Sequence, residues 1–393
     1  MSHHPPPFRI TGATVLRDGV LQDRSIAVTD GRITTGPFPA VDLSGYFVLP
    51  GIVDTGNLSL ERHLYPAPGL RLPLDLALRA LERESAANGI TTGWIAQDWT
   101  WGLGPGSPDR AEALLHAVDL QRADAAIDLR VQLRYETFDH DSAERMVAAV
   151  RRYGVDFVLF QSACDRVLDL YAADPDSFAR HASAHGLASD HFLDLLERAR
   201  DRRKEVPRRL CRVAEAFDVL GVVYGSTGDP DGETREYFSM LGAKVCDRPT
   251  SFQAASVARA VGDPVVMGAP QVVLPDSTRC AVSPLPLIRA GKCDALASDV
   301  WGESPVRAAF QLSDLGILPF AAAWSLLSSR PARILRLPDR GEIAPGKRAD
   351  LIVVNKATRA VEATFANGRL AFATGEAATR LIGGDTAVAL AAE

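Results

Sequence analysis

Between residues 47 and 297 the chain repeats one pattern: a short apolar, β-rich run followed by a longer stretch with the spacing of an amphipathic helix. Strands joined through helices run parallel, so this alternation leaves few architectures open. The runs cover residues 47–53, 92–96, 129–135, 157–160, 219–224, 244–246, 264–268 and 295–297. Eight βα units in roughly 290 residues predict a (β/α)8 barrel, with a doubly wound open sheet as the alternative. The surplus length falls in a charged helical segment at 188–212.

The flanks read differently. Short β runs at 8–16, 25–29, 32–35 and 46–49 are punctuated by Asp18-Gly19 and Asp30-Gly31, and runs at 350–354, 361–366 and 369–373 by Asn367-Gly368. Asp-Gly and Asn-Gly between β-rich runs are strong hairpin signals. The two ends are therefore expected to share one small β-sandwich, residues 1–50 with 340–380, and the barrel to occupy 51–335.

Composition narrows the function. Of 393 residues 47% are hydrophobic and 23% charged, which excludes disordered and fibrous classes. With 43 basic against 49 acidic residues the formal charge is -6, so no global field favours nucleic acid or anionic lipid, and phosphate would need a local cluster. Cys164, Cys211, Cys246, Cys280 and Cys293 are far apart and form no CxxC pair, which suits a reducing cytoplasm, with Cys246 and Cys280 expected as inert core thiols. The start, MSHHPPPFRI, lacks a signal-peptide core, and no apolar run reaches the about 18 residues that span a bilayer. A homo-oligomer is compatible with all of this.

In a barrel the chemistry lies where strands end, on the C-terminal face. The residues there include Asp54, Glu61, Arg62 and His63 after the first run, Arg134 and Glu136 at the third, and Gln161 and Ser162 at the fourth. Ser226, Thr227 and Asp229 follow the fifth, Arg248 the sixth, Gln271 the seventh and Asp299 the eighth. Arg62, Arg134 and Arg248 offer bidentate forks for an anion, and His63 adds charge near neutral pH. Each also has a plainer reading: Asp299 as a helix cap, Glu136 ion-paired with Arg134, His63 packed in a loop, and the arginines in surface pairs. Trp94, Trp99 and Trp101, with Asp98, would wall a pocket or pack beneath the β-sandwich.

The stretches PGIVD (50–54), SD (298–299), SSRPARIL (328–335) and RGEIAPGKRADLIVV (340–354) resemble the amidohydrolase superfamily of metal-dependent hydrolases over nearly the whole chain. Leu60-Glu61-Arg62-His63 with Pro66-Ala67-Pro68-Gly69, NGITT (88–92), Leu133 to Glu136 and VVMGAPQVV (265–273) are similar to its phosphonate-metabolism branch. The resemblance implies a divalent cofactor, Zn²⁺ or Mg²⁺, and a small, phosphorylated substrate. It makes Asp299 the catalytic aspartate and also a metal ligand, and Glu136 a carboxylate ligand. The branch's metal-binding positions after the first strand, however, hold Gly56 and Leu58, and its histidines after strands four and five fall on Ser162 and Thr227. No histidine follows His191. A catalytic zinc needs three or more protein ligands, so the usual dinuclear site is not expected. Three readings stay open: a metal-dependent hydrolase, a non-catalytic relative that binds a small molecule or partner, and a metal-independent enzyme built on Asp299 and an arginine clamp.

Overall fold

The computed structural model describes residues 5–101, 104–276 and 281–390, with side chains as far as 383. Seven short strands come first: β1 (Phe8–Thr11), β2 (Thr14–Arg17), β3 (Val20–Asp23), β4 (Ile26–Thr29), β5 (Arg32–Thr34), β6 (Ala40–Asp42) and β7 (Tyr46–Pro50). Eight strands alternating with helices follow: β8 (Ile52–Asn57), β9 (Ile90–Trp99), β10 (Asp128–Glu136), β11 (Phe157–Gln161), β12 (Val223–Thr227), β13 (Val245–Asp247), β14 (Val265–Gly268) and β15 (Ala295–Ala297). The chain closes with β16 (Leu351–Asn355), β17 (Val361–Ala366), β18 (Arg369–Ala373) and a helix, Gly375–Leu390.

Both ends meet in one six-stranded sheet of order β18-β17-β16-β7-β2-β3, beside a four-stranded sheet β5-β4-β1-β6. β7 joins the halves, antiparallel to β16 and parallel to β2. Alternation assigns its two faces: Val48, Leu351 and Val353 enter a core shared with Ile10 and Val28 of the second sheet, whereas Leu49, Ile352 and Val354 pack with the barrel's helices. The hairpin signals hold. Asp18-Gly19, Asp30-Gly31 and Asn367-Gly368 all have positive φ, as a two-residue type I′ turn requires.

The middle strands form a parallel sheet in chain order from β8 to β15, nearly closed into a barrel. Closure is made by Asp299, which bridges Asn57 and accepts from the Leu58 N–H at 2.7 Å, its own N–H donating to Gly56 O at 3.2 Å. At the N-terminal end Val53, Trp94, Phe157, Leu159, Val223, Val245 and Val266 fill the lumen, and Ala332 and Leu335 seal it.

Below that plug lies an ion-pair floor. Arg130 donates to both oxygens of Asp128 (3.1 and 2.7 Å), pairs with Asp156 and lies 5.1 Å over the Trp94 ring. Arg340 donates to Asp128 at 2.7 Å, Thr92 Oγ1 at 2.8 Å and Asp339 at 2.9 Å, so the stretch beginning RGEIAPG is tied to the barrel's base.

Four expectations are corrected. The run 47–53 is two strands, because the chain leaves the six-stranded sheet after Pro50 and enters the barrel at Ile52. In the run 219–224, Val219 and Leu220 end the helix Val206–Leu220, which Gly221 terminates at φ 71°; the strand starts at Val223. The helical surplus begins earlier than 188, with Cys164–Ala173 and Pro175–Ala184 preceding Ser189–Asp201. Trp94 and Trp99 are fully buried, the first in the lumen and the second against the outer helices, so neither walls a pocket nor packs beneath the β-sheets. Cys280 lies outside the described residues.

Candidate ligand site at the barrel mouth

Successive residues on a strand point to opposite faces, so Gln132, Arg134 and Glu136 share one face of β10 while Leu133 and Tyr135 enter the outer core. Gln132 is the scaffold. Its Nε2 donates to Thr55 O at 2.8 Å, and its Oε1 accepts from Arg134 Nε at 3.0 Å. Arg134 is only 8% exposed, and its Nη2 is buried without a hydrogen-bond partner. Burial first, then the neighbouring Arg248, pulls its guanidinium down to about 10.

Arg248 follows β13 directly. Its Nη1 lies 3.5 Å from Asp299 Oδ1 and its Nε 3.7 Å from Asp247 Oδ2, whose carboxylate also accepts from Thr227 Oγ1 at 2.8 Å. Asp299 takes a long 3.4 Å bond from Gln271 Nε2, and Gln271 Oε1 is itself buried without a partner. Arg248 and Asp299 have φ of 46° and 57°. Asp18, Asp30 and Asn367 share that geometry in hairpins, where turn chemistry explains it. At the mouth the left-handed backbone is strain held by the surroundings, a pattern that concentrates at functional sites.

Beneath this pair, Asp54 is fully buried and accepts from Ser298 N at 2.9 Å and Ser298 Oγ at 2.5 Å. Burial pushes its carboxyl up, against those hydrogen bonds. Gly56 is where a side chain would collide: an added Cβ would sit 2.9 Å from Arg248 Nη2, 3.7 Å from Gln132 Nε2 and 3.8 Å from Arg134 Nη2.

The residues singled out from sequence thus divide. Arg134, Arg248 and Asp299 come together around Gly56. Arg62 and His63 do not join them: both lie on the short helix Leu60–Leu64 and face Glu84, at 2.6 and 2.8 Å. Glu136 is not ion-paired with Arg134. Its oxygens accept from Phe138 N (3.1 Å) and Ala163 N (3.0 Å), the latter at the start of the helix Cys164–Ala173, and burial pushes its carboxyl up to about 8. Gln132 and Asp247 were not singled out from sequence. The signals were there, Gln132 two residues before Arg134 on a period-two strand and Asp247 at the end of an apolar run.

Eight parallel strands nearly closed into a barrel, beside mixed sheets built from both chain ends, define the class: an α/β architecture of the amidohydrolase type. Solved structures share it. β-Aspartyl dipeptidase from Fervidobacterium islandicum AW-1 matches with a TM-score of 0.62 at 14% identity, covering 93% of this chain and 97% of that one. N-acetylglucosamine-6-phosphate deacetylase from Thermotoga maritima matches with a TM-score of 0.59 at 13% identity, covering 93% and 100%. Among curated proteins the chain is similar to alpha-D-ribose 1-methylphosphonate 5-triphosphate diphosphatase of Escherichia coli (strain K12), 25% identical over 377 residues, 88% of this chain and 92% of the relative. No family model matches. The resemblance to the amidohydrolase superfamily, and within it to that diphosphatase, is thereby shown by sequence as well as by fold.

The divalent metal that this resemblance implies does not suit the residues at the mouth. Among the described residues no group of three or more His, Cys, Asp or Glu side chains could hold an ion. Glu136 has both oxygens on backbone N–H groups, Asp299 faces Arg248 and Gln271, and two guanidinium groups border Gly56, where the branch carries a ligand. The positions where the branch carries donors hold Gly56, Leu58, Ser162 and Thr227, and the groups nearest the first of them are cations. Among the described residues no helix is long and apolar enough to cross a membrane.

Proposed function

We propose that this chain binds a small phosphorylated molecule at the barrel mouth, with Arg134 and Arg248 receiving the anionic group and Gln132 and Asp247 holding the two arginines in place. The observation that carries this reading is Arg134, a guanidinium less than a tenth exposed whose Nη2 has no partner. Asp247, Asp98 and Asp299 offset its charge from a distance, but none accepts from Nη2; a buried donor left unsatisfied is costly, and a phosphate or phosphonate oxygen supplies the acceptor. The ligand class draws support from the diphosphatase relative, whose name specifies a ribose bearing phosphonate and triphosphate groups. Arg62 and His63 serve at most as an outer rim in this reading, because both already contact Glu84.

Isothermal calorimetry with ribose 5-phosphate in EDTA tests it. The wild type is expected to bind at millimolar concentration or better, and Arg134→Ala to lose ~1.5–3 kcal/mol, the range for hydrogen bonds to charged groups. Absence of binding to the wild type, or equal binding by the variant, refutes the proposal.

A second reading, metal-independent hydrolysis, is favoured by the strained backbone and loosely held carboxylate of Asp299. There Asp299 would accept a proton from water while the arginines stabilise charge on the departing oxyanion. Phosphate release in EDTA that Asp299→Asn abolishes would support it over simple binding. We further propose the division into residues 1–50 with 340–380 and residues 51–335 as two structural units, working in the cytoplasm.

A further inference from the structure

Two facts about position 56 belong together. It is one of the positions at which the resemblance calls for a metal ligand, and it is a glycine whose missing side chain is replaced in space by a neighbour's guanidinium, 2.9 Å from where a Cβ would lie. That guanidinium is not adrift. Asp247 and Asp299 approach Arg248 from two sides at 3.7 and 3.5 Å, and the backbone of Arg248 is fixed in a left-handed conformation by its N–H bond to Val266 O at 2.8 Å.

We propose that Arg248 is a tethered cation standing where related barrels carry a metal ion: it fills the space opened at Gly56, pairs with Asp247 and Asp299, and closes the site to divalent ions. The charge on these carboxylates is thus offset by a permanent side-chain cation, with Arg134 nearby, that no chelator removes and no pH in the working range discharges. Loss of a ligand at position 56 and gain of an arginine at 248 are then one change. A side chain at 56 would crowd the guanidinium tip, which must shift to admit it but stays tethered beside Asp247 and Asp299. The consequence for any ligand is direct recognition by guanidinium, without a metal bridge. This inference borrows the metal position from the amidohydrolase resemblance but is independent of whether the ligand is phosphorylated.

Metal uptake, read without any phosphorylated ligand, is the test. Protein equilibrated with Mn²⁺ or Zn²⁺ and freed of excess is assayed for bound metal by mass spectrometry. Wild type, Arg248→Lys and Gly56→His should each retain under ~0.1 ion per chain, and the double variant Gly56→His with Arg248→Ala about one, since it restores a donor and removes the competing cation. A stoichiometric ion in the wild type, or equal uptake by Gly56→His and the double variant, overturns the proposal. So does a folded double variant that retains no more metal than the wild type. Should the double variant fail to fold, Arg248→Ala alone decides. Its melting temperature should rise with millimolar Mn²⁺ while that of the wild type does not, because Asp247 and Asp299 have lost their cation. No such rise contradicts the inference. A failure here leaves the calorimetric test of sugar-phosphate binding standing, and the reverse also holds.

Discussion

Arg130 and Arg134 sit four residues apart on one strand, β10, and have opposite fates. Arg130, at the floor, is gripped by Asp128 and Asp156 and covers Trp94, and those partners hold its guanidinium above its ordinary value despite burial. Arg134, at the mouth, has one bond to a glutamine and an unpartnered nitrogen, and burial with Arg248 beside it draws its guanidinium down. The same residue type in the same barrel is thus fully compensated at one end and left short of acceptors at the other. In barrels the N-terminal end carries stability and the C-terminal end carries chemistry, and here that division is written in the partners of two arginines.

The largest expected effect is at the floor. Arg340→Ala strips Asp128 and Asp339 of a cation that is 5% exposed; Asp128 keeps Arg130 and Asp339 is partly exposed, so the cost should fall at or below the low end of the ~3–5 kcal/mol of a fully buried pair, measurable by urea unfolding. Arg134→Met should break the symmetry: it weakens ligand binding by ~1.5–3 kcal/mol, yet leaves unfolding stability equal or higher because a buried guanidinium with an unsatisfied Nη2 is gone. A destabilisation like that of Arg340→Ala would erase the distinction between the two ends.

A smaller effect concerns Glu136, whose carboxyl burial pushes up to about 8. The native chain keeps a proton there that the unfolded chain releases near its ordinary value of ~4.3. The folded state therefore holds more protons between these values, and this contribution to stability is full below the lower one and lost as pH rises through about 8. Glu136→Gln has no proton to lose, so the difference in melting temperature between pH 5 and pH 8.5 should shrink in that variant. The smallest effect is at the rim. Arg62→Ala removes a half-exposed pair with Glu84, worth ~0.2–1 kcal/mol, and should leave ligand binding nearly unchanged.

How much could be read from sequence follows from the range of the interactions. Asp18-Gly19, Asp30-Gly31 and Asn367-Gly368 encode their turns within two residues, and they appear where expected. Barrel strands were legible from apolar runs, except where a run crossed an element boundary: Pro50-Gly51 separates two strands of different sheets, and Gly221 ends a helix inside an apolar stretch. Arg134, Arg248 and Asp299 could be found because strand ends face one mouth. Their pairings could not, since Gln132 is tied to Thr55 and Arg248 to Asp299, contacts that exist only once the barrel closes. The same holds for Arg62 and His63, whose acceptor Glu84 lies on the next helix, and for Arg340, whose acceptor Asp128 is 212 residues away.

The central claim, that the mouth's arginine awaits a ligand while the floor's arginine holds the fold, is tested most directly by melting wild type, Arg134→Ala and Arg340→Ala with and without ribose 5-phosphate in EDTA. The account predicts a ligand-induced rise in melting temperature for wild type and for Arg340→Ala, which starts from a lower value, and none for Arg134→Ala, which starts at or above the wild-type value. A ligand-induced rise in Arg134→Ala equal to that of the wild type, or no rise in any of the three, would contradict it.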